Sequence, residues 1–349
     1  MSRYLLLLAL ALGCSSAPPA AEAPAPAAAA ASPAAAAAAP SPSRVVTEHV
    51  HSEALGVDKA VVIYLPRGYD ARPATRWPVF YYLHGLGGTE TDWVEGGRLA
   101  DAADALGLGA IVVMPDGDDS FYVDSPLAID YDRCMKDGSG LMDPARQPHD
   151  ATCVRKRRYE TYIASDLVRW TDATYRTIAS RDGRAIAGLS MGGFGAMELA
   201  LRHPDLFAAA ASHSGAIALL YRGPRPFVAG KAELATEVTD WGKGAGAIGA
   251  WIRGTLGPDI ANWKAHDVVE LASKLAPGKV ALYFDCGTED MFGLNDNVQY
   301  VHEALTARHI EHQFYLGPGQ HDFSFWSARV PKSLAFLRDH VVGPQTAAR

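Results

Sequence analysis

From Val61 onward, short apolar runs alternate with longer stretches in which apolar residues recur every three or four positions. Val61–Leu65, Val79–Leu83, Ala110–Met114, Ala185–Leu189, Ala208–Ser212 and Val280–Asp285 have strand length. Several are apolar without interruption, which predicts burial on both faces of a mostly parallel sheet. Leu99–Leu106, Tyr159–Tyr175, Phe194–His203 and Asp296–Arg308 carry helical spacing. The alternation predicts an α/β fold, with helices on both faces of one central sheet. No internal repeat interrupts the pattern, so 44–342 reads as one domain with an insertion at about 217–275. Residues 343–349 read as a disordered tail.

The N-terminal region departs from this pattern. Ser2-Arg3 starts it with a positive charge, Tyr4 to Leu12 is apolar, and Gly13-Cys14 follows, so 1–13 reads as an export signal too short to span a bilayer permanently. Ala11-Leu12-Gly13-Cys14 resembles a lipobox, which makes Cys14 a candidate for lipidation and membrane attachment; the alternative is a plain secretion signal. Residues 14–43 are dominated by Ala and Pro, with nothing to bury and with prolines that interrupt any helix, and they read as a disordered tether. The expected location is outside the cytoplasm, anchored at a membrane or secreted.

Composition narrows the class further. A net charge of −7 over 349 residues gives no electrostatic footprint for a phosphate backbone, and the one basic run, Arg155-Lys156-Arg157-Arg158, is short. Nucleic acid is therefore excluded as an expected partner. Cys134 and Cys153 stand in a polar, Gly-, Pro- and Asp-containing stretch that suits a loop disulfide in an oxidising compartment. Cys286 then remains as a buried free thiol.

The candidate chemistry sits at Gly188-Leu189-Ser190-Met191-Gly192. The pattern alone is weak, but here it follows an apolar strand run and opens a helical stretch, as a nucleophile elbow requires. The sharp turn exposes the Ser190 hydroxyl in a strained conformation, and the flanking glycines keep Cβ atoms out of a tight space. A serine hydroxyl needs a base and an acid that orients the base. His321, in the loop Gly317 to Asp322, is the best-placed histidine. His203, His302, His309 and His312 lie in or beside helices. Asp290, out in the loop after the Asp285 strand end, is the preferred acid, with Asp285 and Glu289 as alternatives. Oxyanion donors are expected at the Met191 amide and at Leu86, in the glycine-rich turn after His84-Gly85. His84 itself reads as a structural hydrogen-bonding residue.

Four blocks together carry a family resemblance. They are Tyr82 to Gly88 with Trp93, Gly188 to Ala196, Cys286 to Asp290, and Gly319-Gln320-His321. They resemble the esterase D-type esterases, an α/β-hydrolase family that includes S-formylglutathione hydrolases, feruloyl esterases and antigen 85 mycolyltransferases. The resemblance runs from about Val45 to Leu337. It implies an α/β-hydrolase fold, a Ser190-Asp290-His321 triad and backbone donors at Leu86 and Met191. The Cys134 to Cys153 loop and the insertion depart from the pattern and leave the substrate open. Most of Phe227, Trp241, Trp251 and Trp263 in the insertion are expected to pack a small core of its own, and none is assigned to substrate.

The expected activity is ester hydrolysis through an acyl-enzyme, on a small-molecule, polysaccharide or lipid ester. The alternatives are acyl transfer to a sugar or lipid hydroxyl, a peptidase, and a non-catalytic binding module, which would be expected to lack a triad member. No metal-ligand cluster or phosphate loop is legible, so no cofactor and no metal are expected.

Overall fold

The computed structural model describes residues 41–346 apart from 142, 146–147 and 239–245. The expected signal at 1–13, Cys14, most of the tether and Trp241 lie outside the described residues.

The central sheet has eight strands: β1 (Arg44–Ser52), β2 (Val57–Leu65), β3 (Val79–Leu83), β4 (Ile111–Pro115), β5 (Arg184–Leu189), β6 (Ala209–His213), β7 (Ala281–Gly287) and β8 (Gln313–Gly317). Across the sheet they run 1-2-4-3-5-6-7-8. β2 pairs antiparallel with both β1 and β4, and every other pairing is parallel. The apolar runs are continuous because the pleat sends alternate residues to two buried faces. Val79, Tyr81 and Leu83 join Ile111, Val113 and Ile186 on one side. Phe80 and Tyr82 join Val112, Met114 and Ala185 on the other. Each such side chain contributes roughly 1.5–3 kcal/mol when fully buried, and the buried polar residues on the strands, such as His213 and Asp285, are hydrogen-bonded to one another. β1 was not among the predicted strands. It lies at the sheet edge and buries only part of one face, so Thr47, Glu48, His49 and His51 break its apolar run.

Helices cover both faces. α1 (Leu99–Leu106) and α4 (Phe323–Asp339) bury Leu99, Ala103, Phe325, Val330 and Leu334 against one side. α2 (Met191–Arg202) and α3 (Leu294–Ala307) bury Phe194, Met197, Val298 and Val301 against the other. The Tyr159–Tyr175 stretch is helical to Thr174, with a π-helical segment at Tyr162–Leu167.

Two boundaries and the packing of the insertion differ from expectation. Within the presumed tether, the Ser41 carbonyl accepts the Gly68 N–H at 2.8 Å, and the Ser43 hydroxyl donates to Asp104 at 2.7 Å. At the other end, Gln345–Thr346 pairs antiparallel with Thr75–Arg76, so the tail is ordered at 345–346. The residues at 41–43 and 345–346 make hydrogen bonds that composition does not encode. The insertion holds the helices Gly246–Leu256, Ile260–His266 and Val268–Ala272. Its buried Trp263, Val268 and Ile252 are continuous with the main core rather than a separate one.

Cys134 and Cys153 are joined, with Cα atoms 5.8 Å apart, and Cys286 is free and buried. Peptide mapping of unreduced protein is expected to recover Cys134 joined to Cys153. Loss of the bridge should cost about 3 kcal/mol or less, because closing a loop of this length removes limited chain entropy. Recovery of both residues as free thiols from native protein would overturn the pairing.

Candidate active site

Ser190 occupies the one-residue turn between β5 and α2, with φ 51° and ψ −115°. A left-handed φ at a residue other than glycine costs of order 1–3 kcal/mol and persists only where the surroundings enforce it. Here the Ser190 N–H donates to the His213 carbonyl at 2.8 Å, and its carbonyl accepts the Phe194 N–H at 3.0 Å. A Cβ at Gly188 would run into the Gly192 carbonyl, and one at Gly192 into the Leu83 carbonyl. The two glycines let the turn close against β3.

Asp290 and His321 come from the loops after β7 and β8. Those loops are stitched by Thr288 N–H to the Gly317 carbonyl at 2.8 Å and Glu289 N–H to the Gly319 carbonyl at 2.9 Å. Gly319, at φ +149°, lets the second loop approach closely: a Cβ at Gly287 would strike its carbonyl. His321 Nδ1 donates to Asp290 Oδ2 at 2.7 Å, and the Ser190 hydroxyl lies 2.9 Å from His321 Nε2. The Asp290 carboxylate is saturated. Oδ1 accepts the Phe292 and Leu294 amides at 2.9 and 3.3 Å, and Oδ2 also receives the Cys286 thiol at 3.5 Å. Burial, reinforced by the Asp290 charge, pushes that thiol well above its ordinary pKa, so it acts as a donor. Phe292 and Trp326 stand edge-on to the imidazole, with ring centroids 4.8 and 5.0 Å away, and Trp326 donates to Ser214 at 3.2 Å.

The two alternative acids are elsewhere. Glu289 is exposed. Asp285 is fully buried and accepts from His213 Nδ1 at 2.9 Å, the Tyr283 hydroxyl at 2.6 Å and Arg329 Nε at 3.0 Å. Burial alone would raise its pKa; His213, Tyr283 and Arg329 together hold it below the usual value. Ser333 lies 2.8 Å from His213 Nε2, so a second Ser-His-Asp chain runs beneath the first. All three of its members are fully buried. Distances alone therefore do not distinguish a reactive serine from a packing one; access to a cavity and the strained turn do.

The expected oxyanion turn is held rigid. His84 Nδ1 donates to the Gly85 carbonyl at 2.7 Å, which also accepts Gly88 N–H at 3.1 Å, and Asp119 accepts Gly87 N–H at 2.6 Å. His84 is thus the structural residue expected. Met191 is the first residue of α2, where a helical amide has no intrahelical acceptor. Among the described residues, neither the Leu86 nor the Met191 N–H is taken by a backbone carbonyl outside regular elements. Leu86, Ser190, Met191 and His321 line one cavity of about 190 Å³, closed by Phe121, Trp251, Phe292 and Phe323. Trp251 is half-buried against the main core and lines the same cavity as Ser190. Phe292, Trp326 and Asp119 were also not anticipated. Only Phe292, two residues after the acid, had a positional signal.

Among the described residues, Glu160, Glu198 and His266 are close enough together to share a cation, but Arg202 already lies 3.0 Å from both carboxylates.

The sequence matches the model of the family described as "Putative esterase" over residues 52–337. Esterase Rv1288 of Mycobacterium tuberculosis is 34% identical over 193 residues, 55% of this chain and 36% of that protein. The chain thus spans little more than a third of that relative's length. Diacylglycerol acyltransferase/mycolyltransferase Ag85B of Mycobacterium leprae is 29% identical over 285 residues, covering 79% of this chain and 74% of that one. Among solved structures, a ferulic acid esterase superposes with a TM-score of 0.62 at 24% identity, over 86% of this chain and 99% of its own, a likeness of fold.

Proposed function

Because the chain belongs to the esterase family of α/β serine hydrolases, we propose that it is an exported carboxylesterase working through Ser190, His321 and Asp290. The observation that carries this reading is the continuous chain from Ser190 Oγ through His321 to Asp290, at 2.9 and 2.7 Å, opening on a cavity at a strained turn.

In the first half-reaction His321 Nε2 takes the Ser190 proton as Oγ attacks the ester carbonyl. The carbonyl oxygen becomes an oxyanion and is held by the Leu86 and Met191 amides, which already stand in fixed positions and need no reorganisation. The tetrahedral intermediate collapses, the C–O bond to the alcohol breaks, and the alcohol leaves with the proton from His321. Water then attacks the acyl-enzyme by the same route and releases the acid. Asp290 keeps the Nδ1–H tautomer in place and stabilises the imidazolium formed in each half. The disulfide is in keeping with an oxidising compartment, and lipid on Cys14 would hold the domain at a membrane.

Treatment with a fluorophosphonate followed by peptide mapping tests the assignment. A single adduct on the Ser190 peptide, with matching loss of hydrolysis of short-chain p-nitrophenyl esters, is expected. An adduct on another serine, or hydrolysis that survives full labelling, would refute it. The Ag85B relative favours acyl transfer as a second reading. An added sugar or lipid alcohol that yields transfer product faster than free acid appears would select it.

A further inference from the structure

Residues 116–122, just after β4, include three non-glycine residues with a left-handed φ: Asp118 at 46°, Phe121 at 53° and Tyr122 at 58°. Bulky residues adopt that region rarely, and only where their surroundings enforce it. The segment runs between the Ser190 cavity, lined by Phe121, and a second cavity of about 230 Å³, lined by Asp118 and Asp119; Trp251 lines both.

A buried ion cluster enforces the bend. Lys59, on β2, donates to Asp116 Oδ2 at 2.7 Å, to Asp118 Oδ1 at 2.8 Å and to the Ala151 carbonyl at 2.6 Å, which accounts for its three ammonium protons. Asp116 Oδ1 accepts the Asp118 N–H at 3.0 Å, and the Tyr159 hydroxyl donates to Asp118 Oδ2. All three charged residues are buried. Such a cluster is weak evidence of stability, because the cost of stripping water from the charges offsets their attraction. Its effect here is geometric: one cation draws two carboxylates, two residues apart, to the same point and folds the chain between them.

That fold is pressed against the oxyanion turn. Gly117 N–H donates to His84 Nε2 at 2.9 Å, the Tyr122 hydroxyl donates to the His84 carbonyl at 3.1 Å, and Asp119 accepts Gly87 N–H at 2.6 Å. Burial works against a charged His84 ring and Asp116, 3.4 Å away, works for one. The Gly117 N–H decides, since only a neutral ring with its proton on Nδ1 accepts at Nε2. That proton is the one given to the Gly85 carbonyl. Leu86 therefore stands between two residues fixed from the same segment, Gly85 through His84 and Gly87 through Asp119.

We propose that Lys59, Asp116, Asp118 and Asp119 are positioning residues for ester hydrolysis, holding segment 116–122 so that the Leu86 N–H stays aimed at the developing oxyanion. They act through His84, Gly85 and Gly87 rather than on the substrate. The inference rests on the esterase reading above and on its donor at Leu86.

The test measures kcat and KM for p-nitrophenyl butanoate beside the inhibition constant of an alkyl trifluoromethyl ketone, which forms a tetrahedral oxyanion on the serine. Asp119→Ala removes the acceptor for Gly87 N–H at a half-buried position where folding is secure. It is expected to lower kcat about 30-fold and to raise the ketone constant by about the same factor, with KM within threefold, since loss of a whole oxyanion donor costs about 10²–10³. Asp119→Asn keeps an oxygen for that N–H and should recover most of the loss. The Lys59→Met, Asp118→Asn double variant removes one charge of each sign, and asparagine tolerates the left-handed φ. It should show the same paired change per folded molecule. Asp119→Ala protein with kcat and the ketone constant both within threefold of wild type would overturn the proposal, as would a loss carried by KM alone or an equal loss in Asp119→Asn. Wild-type protein that neither hydrolyses the ester nor binds the ketone would instead count against the esterase reading.

Discussion

Replacing Ser190 with alanine is expected to lower ester turnover by about 10⁴ to 10⁶ while leaving the fold intact. The size follows from what is lost. Without Oγ no acyl-enzyme forms, and only oxyanion stabilisation and substrate positioning remain over the uncatalysed reaction. The fold should survive because the turn is enforced from outside the side chain, by the His213 carbonyl, the Phe194 amide and the space left at Gly188 and Gly192. Alanine adopts that backbone no less readily than serine. Steady-state hydrolysis and a melting curve check both halves, and turnover within tenfold of wild type would remove Ser190 from the mechanism.

Asp290→Asn should lower turnover by about 10⁴, the loss seen when the equivalent acid of another serine hydrolase is changed in this way. The geometry supplies the reason. Oδ1 accepts two backbone amides, so an asparagine oxygen is retained on that side and its NH₂ is turned toward His321 Nδ1. A donor there favours the tautomer with the proton on Nε2, where it cannot accept from Ser190. The two amide bonds persist, so the melting temperature should fall by only a few degrees, corresponding to roughly 1 kcal/mol. Asp285→Asn makes the contrast. It leaves Arg329 and His213 without their buried counter-charge, so it should cost about 3–5 kcal/mol of stability. Turnover per folded molecule should stay within about tenfold. An inactive but fully folded Asp285→Asn protein beside an active Asp290→Asn protein would reverse the assignment.

Much of this arrangement was legible in one dimension. The parallel strands announced themselves because burial on both faces demands unbroken apolar runs, and Ser190 because an elbow needs Gly on either side of the serine and a helix after it. The positions of Asp290 and His321 followed from the rule that loops at the C-terminal edge of such a sheet carry the chemistry. Local physics sets each of these features, since a pleat, a tight turn or a helix start depends on neighbours within a few residues. The edge strand β1 and the hydrogen bonds at Ser41, Ser43 and Gln345–Thr346 depended on distant partners. So did the choice between Asp290 and Asp285, only five residues apart in the sequence. That choice was decided when the Gly319 carbonyl docked against Gly287 and brought the two loops together, while His213 and Arg329 closed around the other acid. The role of Trp251 was likewise invisible along the chain. Aromatic residues in an insertion share one composition whether they fill a core or wall a cavity, and only the packing of the Gly246–Leu256 helix places Trp251 on the lining of two cavities.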